Sequence, residues 1–226
     1  MGRAEEYSRI NLDLHPVQVL DNVEISPGVF LISWKQRASF IPGQVVKVAL
    51  DQVEPPRIYS ICSGNIDEKI SVLFNIKEDG YLTPRLATAT TGDNIWVSDP
   101  YGSFHADHTP AFWIATGTGI APFYSMFQSG LADRKILIHG ARHLNQFYFD
   151  DELEWALGDR YIRCCSAAES DQVFHGRVTD YLIERNHYPI DYKYYICGKS
   201  LMVVDVRDLL ISNGIPFEKI FAEIYF

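Results

Sequence analysis

The stretch Trp113-Ile114-Ala115-Thr116-Gly117-Thr118-Gly119-Ile120-Ala121-Pro122 decides the fold. Its apolar start reads as a strand, Gly117 and Gly119 as a tight turn, and Ala121-Pro122 as the opening of a helix, where proline sacrifices no hydrogen bond. A strand that runs through glycine into a helix lets the backbone approach a pyrophosphate while the positive end of the helix faces its charge. Two glycines without a third fall short of the full dinucleotide fingerprint, and a turn made only for packing accounts for the same residues. Working outward, short apolar runs at 112–115, 136–138, 161–165, 194–197 and 220–222 alternate with helix-length segments. That alternation predicts a parallel sheet with helices on both faces.

Upstream the pattern changes. Between residues 17 and 99 the apolar runs are short and β-rich, at 17–19, 29–34, 45–50, 57–60, 70–76 and 95–97, with turn residues such as Ser26-Pro27-Gly28, Asp79-Gly80 and Gly92-Asp93 between them. This half predicts an antiparallel barrel. Its one expected helix covers 84–89, preceded by Gly80-Tyr81-Leu82-Thr83, where a threonine and free N–H groups would cap it or hold an anion. The junction falls at 105–110, which gives domains 1–105 and 106–226.

Composition narrows the function classes. Hydrophobic residues make up 47% of the 226 and charged residues 22%, enough for a real core and far from a disordered chain. Twenty Lys+Arg against 29 Asp+Glu leave a net charge of −9, which disfavours nucleic acid as a partner. The four cysteines form no Cys-x-x-Cys pair and Cys164 adjoins Cys165, so they read as reduced thiols. With no leader and no run of about 18 apolar residues, the expectation is a cytoplasmic chain that touches no membrane. Four such cysteines also suit no plant-type iron–sulfur cluster, so a cluster would belong to a separate protein. The histidines show no metal-ligand spacing, and no metal is expected.

Three further stretches carry chemistry. In Arg57-Ile58-Tyr59-Ser60, alternation puts Arg57 and Tyr59 on one face, an anion clamp beside an aromatic plate, although a surface arginine and a half-buried tyrosine fit the same residues. Tyr195-Ile196-Cys197-Gly198-Lys199-Ser200-Leu201-Met202 repeats strand, glycine turn and helix. Ala222-Glu223-Ile224-Tyr225-Phe226 sets a carboxylate beside two aromatics suited to covering a planar ligand.

In this order, and across nearly the whole chain, these stretches resemble the ferredoxin-NADP(+) reductase family of the bacterial, FAD-containing type. Lesser matches are Ile41-Pro42-Gly43-Gln44, Asp99-Pro100-Tyr101-Gly102-Ser103-Phe104 and Gly176-Arg177-Val178-Thr179. The resemblance implies an N-terminal antiparallel FAD-binding β-barrel followed by a Rossmann-like parallel-sheet nicotinamide-binding domain. It implies that Arg57 pairs with the FAD pyrophosphate, Tyr59 stacks on the isoalloxazine with Ile58 beside it, and Ser60 hydrogen-bonds near flavin N5. Gly80, Tyr81, Leu82 and Thr83 correspond to the second phosphate-binding segment. Tyr225 would cover the isoalloxazine where nicotinamide enters, and Phe226 the adenine. On the nucleotide side the resemblance implies Thr116, Gly117, Thr118, Gly119, Pro122, Gly198 and Met202 as binding residues. Cys197 and Glu223 would flank the hydride-transfer site, with Ser60 and Tyr225 also in the catalytic set.

The implied activity is hydride transfer between NADP(H) and FAD, with single electrons passed to or from a ferredoxin or flavodoxin by a monomeric enzyme. Arg3, Arg9, Lys35, Arg37, Lys69 and Lys77 are candidates for a docking patch. One departure concerns the nucleotide. NADP-preferring members usually show Ser-Arg where this chain has Ser166-Ala167, while Arg142 and Arg177 match two other basic positions, so NADPH is expected and NAD(H) is possible. Two alternatives stand beside this reading: an NADH-dependent reductase serving an oxygenase or reducing free flavin, and a non-catalytic flavin-binding redox module. Ala167→Arg is expected to raise the ratio of NADPH to NADH efficiency, read from kcat/KM with each nucleotide; an unchanged ratio would place the phosphate pocket elsewhere.

Overall fold

The computed structural model describes residues 13–225, in which two units fold around separate cores, one reaching His105 and the other starting at Ala106. In the first, β1 (Leu14–Ser26), β2 (Val29–Lys35), β3 (Val45–Ala49), β4 (Arg57–Ser60), β5 (Lys69–Asn75) and β6 (Asn94–Ser98) form an antiparallel sheet in the order β4-β3-β6-β1-β2-β5. Strand β1 extends well beyond the 17–19 run because it serves two partners. Residues 14–18 pair with β6, and from Val19 onward the strand pairs with β2, with a register slip between Val19 and Asp21. A bulge of this kind bends a strand and lets a sheet turn a corner. The ring closes where Ile61 bridges Val72 and the Cys62 N–H donates to the Ser71 carbonyl at 2.8 Å. Closure pairs backbone groups that an open edge would leave bare. Ile32, Trp34, Val46, Val48, Val72, Phe74 and Ile95 fill the inside, each side chain contributing roughly 1.5–3 kcal/mol of burial.

The helix expected at 84–89 is α1 (Thr83–Leu86), which starts earlier and stops sooner. Asn22 on β1 ends it: its Nδ2 donates to the carbonyls of Leu86 at 3.0 Å and Ala89 at 2.9 Å, which settles acceptors that a longer helix would have used. Leu82 and Leu86 belong to the barrel core.

The second unit is a parallel sheet of β7 (Ala111–Thr116), β8 (Lys135–Ala141), β9 (Tyr161–Cys165), β10 (Phe174–His175), β11 (Lys193–Lys199) and β12 (Ile220–Tyr225), in the order β10-β9-β8-β7-β11-β12. Its helices are α2 (Ala121–Gln128), α3 (Asp150–Leu157), α4 (Val178–Arg185) and α5 (Ser200–Ser212). Strand β10 is two residues long and gives no apolar run that a sequence pattern can register. Phe112, Ile114, Ile138 and Ile196 pack one sheet face against Val178 and Leu182 of α4 and Val203, Val206 and Leu210 of α5. On the other face Trp113 stacks on Phe123 of α2 at 5.7 Å. The chain builds outward from β7 to β10 and then returns to the opposite side of β7 with β11. In open sheets of this type a ligand binds outside the carboxyl ends of the strands at that reversal.

His139 on β8 is fully buried, 3.1 Å from the Tyr161 hydroxyl and edge-on to Phe147. Burial pushes its imidazole down to about 3. The unfolded chain takes up a proton near 6.5 that the folded chain refuses, so this group's contribution to stability is intact above pH 6.5 and lost as pH falls toward 3. Between pH 7 and 5 the loss is about 2 kcal/mol, at about 1.4 kcal/mol per pH unit below 6.5. Urea unfolding at the two pH values is expected to show this difference in the parent and its absence in His139→Asn.

Candidate functional site

The reversal between β7 and β11 brings two glycine turns together. After β7, Gly117–Ile120 forms a single 3₁₀ turn that leads directly into α2, with Pro122 in the first helical turn. Gly117 adopts φ +55°, and a Cβ there would meet nothing within 4 Å, so glycine is needed for its conformation and its surroundings are open. Gly119 is needed for the opposite reason. A Cβ on it would lie 2.4 Å from the Cys197 carbonyl oxygen, and one on Gly198 would lie 2.2 Å from Thr116 Oγ1. The two turns therefore touch backbone to backbone. Thr116 Oγ1 is buried without a hydrogen-bond partner among the described residues, an unmet polar group beside an open glycine, as a bound ligand would require. Met202, on the first turn of α5, closes the same corner, its Cε 3.1 Å from where a Gly198 Cβ would stand.

Register then fixes what stands beside this corner. Cys197 pairs across the ladder with Glu223, and Lys199 with Tyr225. The buried Cys197 Sγ donates toward Glu223 Oε2 at 3.9 Å. Burial, and after it the Glu223 carboxylate, push this thiol well above its ordinary value, with a hydrogen bond to Tyr225 pulling the other way. Cys197 is thus a neutral thiol, a small soft surface without thiolate reactivity.

Three loops emerge along the same strand ends, since Ala141, Cys165 and His175 stand in one row across β8, β9 and β10. Arg142, Ser166 and Arg177 follow them, all exposed. The Ala167 N–H donates to the Arg142 carbonyl at 3.0 Å, which ties the second loop to the first. Neither Arg142 nor Arg177 has an ion-pair partner among the described residues. Glu169, in contrast, lies 4.0 Å from His175.

In the first unit the exposure of β4 falls along the strand and does not alternate. Arg57 is exposed, with no carboxylate paired to it among the described residues, and its guanidinium lies 5.1 Å over the Tyr81 ring. Ile58 is 60% exposed, Tyr59 is half-buried against Phe74, and Ser60 is buried. An unpaired guanidinium, an aromatic ring and an uncovered apolar side chain on four consecutive residues suit a ligand that is anionic at one end and planar at the other. Two ties draw the neighbouring segment to this strand: Arg85 pairs with Glu54, and the Tyr81 hydroxyl donates to the Pro55 carbonyl. Thr83 is the first residue of α1 and not its cap; its Oγ1 accepts the Lys77 N–H at 2.8 Å, while Gly80 makes room, since a Cβ there would lie 2.9 Å from the Lys77 carbonyl. The Leu82 side chain lies in the core, which leaves only its main chain to any ligand. Phe226, Arg3 and Arg9 lie outside the described residues. Lys69 pairs with Asp21 at 3.1 Å, and Lys35, Arg37 and Lys77 remain as exposed cations without ion pairs among the described residues.

One residue of the corner where the two glycine turns meet escaped the sequence reading. A Cβ on Gly140, at the end of β8, would lie 2.5 Å from Val178 Cγ2 and 2.9 Å from Thr116 Cγ2. It supplies a close approach of the kind the absent third glycine provides in the full fingerprint. No Gly-x-Gly spacing marks it, because it is in contact through space and not along the chain.

The profile of an oxidoreductase NAD-binding domain matches residues 113–208. A ferredoxin–NADP reductase of Pseudomonas aeruginosa is 37% identical over 207 residues, covering 78% of this chain and 80% of that protein. A probable dihydroorotate dehydrogenase B (NAD(+)) electron transfer subunit of Pyrococcus furiosus is 27% identical over 198 residues, covering 87% of this chain and 75% of its own. In fold, the chain is similar to a ferredoxin NADP+ reductase from Neisseria gonorrhoeae solved with bound FAD and NADP, with a TM-score of 0.85 at 20% identity over 95% of this chain and 99% of that one.

The two glycines of the turn separate under mutation. Gly119→Ala forces a methyl into the Cys197 backbone and is expected to destabilise the second unit by about 1–3 kcal/mol, whereas Gly117→Ala meets only its unfavourable φ, at about 1–2 kcal/mol. Urea unfolding with NADPH present and absent checks it: both variants should lower the midpoint without nucleotide, Gly119→Ala by more, and Gly117→Ala should in addition reduce the gain that NADPH gives.

Proposed function

The chain belongs to the ferredoxin–NADP reductase family of FAD- and NAD(P)-binding oxidoreductases, and from that premise we propose that it takes hydride from NADPH and passes electrons singly to a separate ferredoxin or flavodoxin. The observation that carries the choice of nucleotide is the pair of exposed, unpaired guanidinium groups, Arg142 and Arg177, on neighbouring strand-end loops. A 2′-phosphate would be their counter-ion, with Ser166 as a further donor. Charge-assisted hydrogen bonds of this kind contribute about 1.5–3 kcal/mol each.

Bound FAD would supply what nicotinamide lacks, acceptance of an electron pair and its release in single steps. The chain's own residues bind, orient and exclude water. Arg57 clamps the FAD pyrophosphate, with the main chain of Gly80–Thr83 as a second anchor, while Tyr59 and Ile58 offer the apolar plate for the flavin ring and the Ser60 hydroxyl a hydrogen bond at its reacting edge. Tyr225 would cover the flavin ring where nicotinamide enters. Gly117, Thr118 and Gly119 carry the nucleotide pyrophosphate at the mouth of α2, and the unmet Thr116 hydroxyl and the Gly198–Met202 corner hold its nicotinamide end. Cys197, kept neutral, spaces the nicotinamide without attacking it, and Glu223 fixes the thiol's direction. Alignment and electrostatics of this sort are what a protein adds to a direct hydride transfer, without a covalent nucleophile.

A second reading rests on the second of these loops, between β9 and β10. Ala167 supplies no cation and Glu169 stands exposed nearby, an acid of the kind that holds a ribose hydroxyl in NAD sites, and the Pyrococcus relative carries NAD(+) in its name. It predicts an NADH-dependent electron-transfer component. Anaerobic titration of the FAD-loaded protein, followed through the flavin absorption bands, separates the two. Half-bleaching is expected at a concentration of NADPH at least tenfold below that of NADH; the reverse order would assign the chain to the NADH-dependent class, and no bleaching by either would leave only a flavin-binding module.

A further inference from the structure

Helix α3 has two charged sides with different fates. On one, Asp150 and Glu154 both pair with Arg163 of β9, at 2.8 and 3.0 Å. On the other, Asp151 and Glu152 meet no cation among the described residues. Asp151 makes no side-chain hydrogen bond among the described residues, and Glu152 accepts from the Tyr124 hydroxyl and from Gln128 Nε2 at 3.2 Å, contacts that tie α3 to α2. One helical turn beyond Asp151, on the same face, stands Trp155, 90% exposed. Between the two helices runs a groove of about 510 Å³ lined by Phe127, Gln128, Asp151, Glu152 and Trp155. Trp155 belongs to no core and stands beside two carboxylates that have no ion-pair partner among the described residues, a combination in which tryptophan serves as a contact anchor.

We propose that this groove is a docking site for an arginine side chain presented by a partner protein. The lining is mostly apolar, and the two carboxylates on it, Asp151 and Glu152, select a cation over a neutral group. The indole face selects a flat one: a guanidinium stacks on tryptophan while its edge forks onto a carboxylate, which a lysine ammonium cannot do. Trp155 stands on the rim, so the groove grips a side chain entering from a surface and does not enclose a free small molecule. The chain's net charge of −9 favours the same partner at longer range.

The test uses the FAD-loaded protein labelled with ¹⁵N in its four tryptophans, with the Trp155 indole signal assigned through Trp155→Phe. The probe is a blocked pentapeptide with two arginines, set against the same peptide with citrulline, which keeps the shape and removes the charge. The arginine peptide is expected to shift the Trp155 signal saturably at about millimolar concentration, an affinity typical of so small a contact. The citrulline peptide and Asp151→Asn should each weaken binding at least fivefold, with the thermal midpoint of Asp151→Asn unchanged. Equal shifts by both peptides, or undiminished binding by Asp151→Asn, would overturn the proposal. So would a Trp155 shift produced by concentrating the protein alone, which would make a second copy of the chain the occupant.

Discussion

The nucleotide corner depends on one contact, the backbone of Gly119 against the backbone of Cys197 and Gly198. With any side chain at 119 or 198 the two turns would stand apart, and the strand ends that carry them would lose their common floor. Because they touch, the unmet hydroxyl of Thr116 and the neutral thiol of Cys197 come to the same place, and the parallel register of β11 with β12 adds Glu223 and Tyr225. Close packing allows no gradual compromise here, since interiors are as dense as organic crystals.

Burial holds Cys197, His139 and the Tyr161 phenol of the second unit neutral. The cations beneath its surface are matched: Arg163 pairs with Asp150 and Glu154, and the buried Lys135 donates to the carbonyls of Thr109 and Asp133. Among the described residues, charges without ion-pair partners stand at the periphery, Arg142 and Arg177 along the strand ends and Asp151 on α3. Interior groups that are neutral or paired offer no nucleophile. Unpaired peripheral charges are surfaces kept for something that arrives, because a charge with a permanent partner has little left to offer a transient one.

Much of this was readable beforehand, for stated reasons. The β7 turn, the Arg57–Ser60 strand and the Cys197-Gly198 turn announce themselves because apolar alternation and glycine punctuation are local signals. The extent of β1 was not readable, since its length is set by two partners and a bulge between them. Nor was the early end of α1, imposed by Asn22 from 64 positions away. Gly140 and Trp155 carry no motif at all; one matters through its neighbours in space, the other through the absence of any.

By itself, then, the sequence determined the two sheet types and the family, because periodicity and short motifs are written along the chain. Only the tertiary structure decided which glycine answers to conformation and which to contact, which carboxylates are spent on Arg163, and which arginines stay free. Those outcomes depend on distances between residues remote in sequence, and a chain fixes such distances only once its strands have found their neighbours.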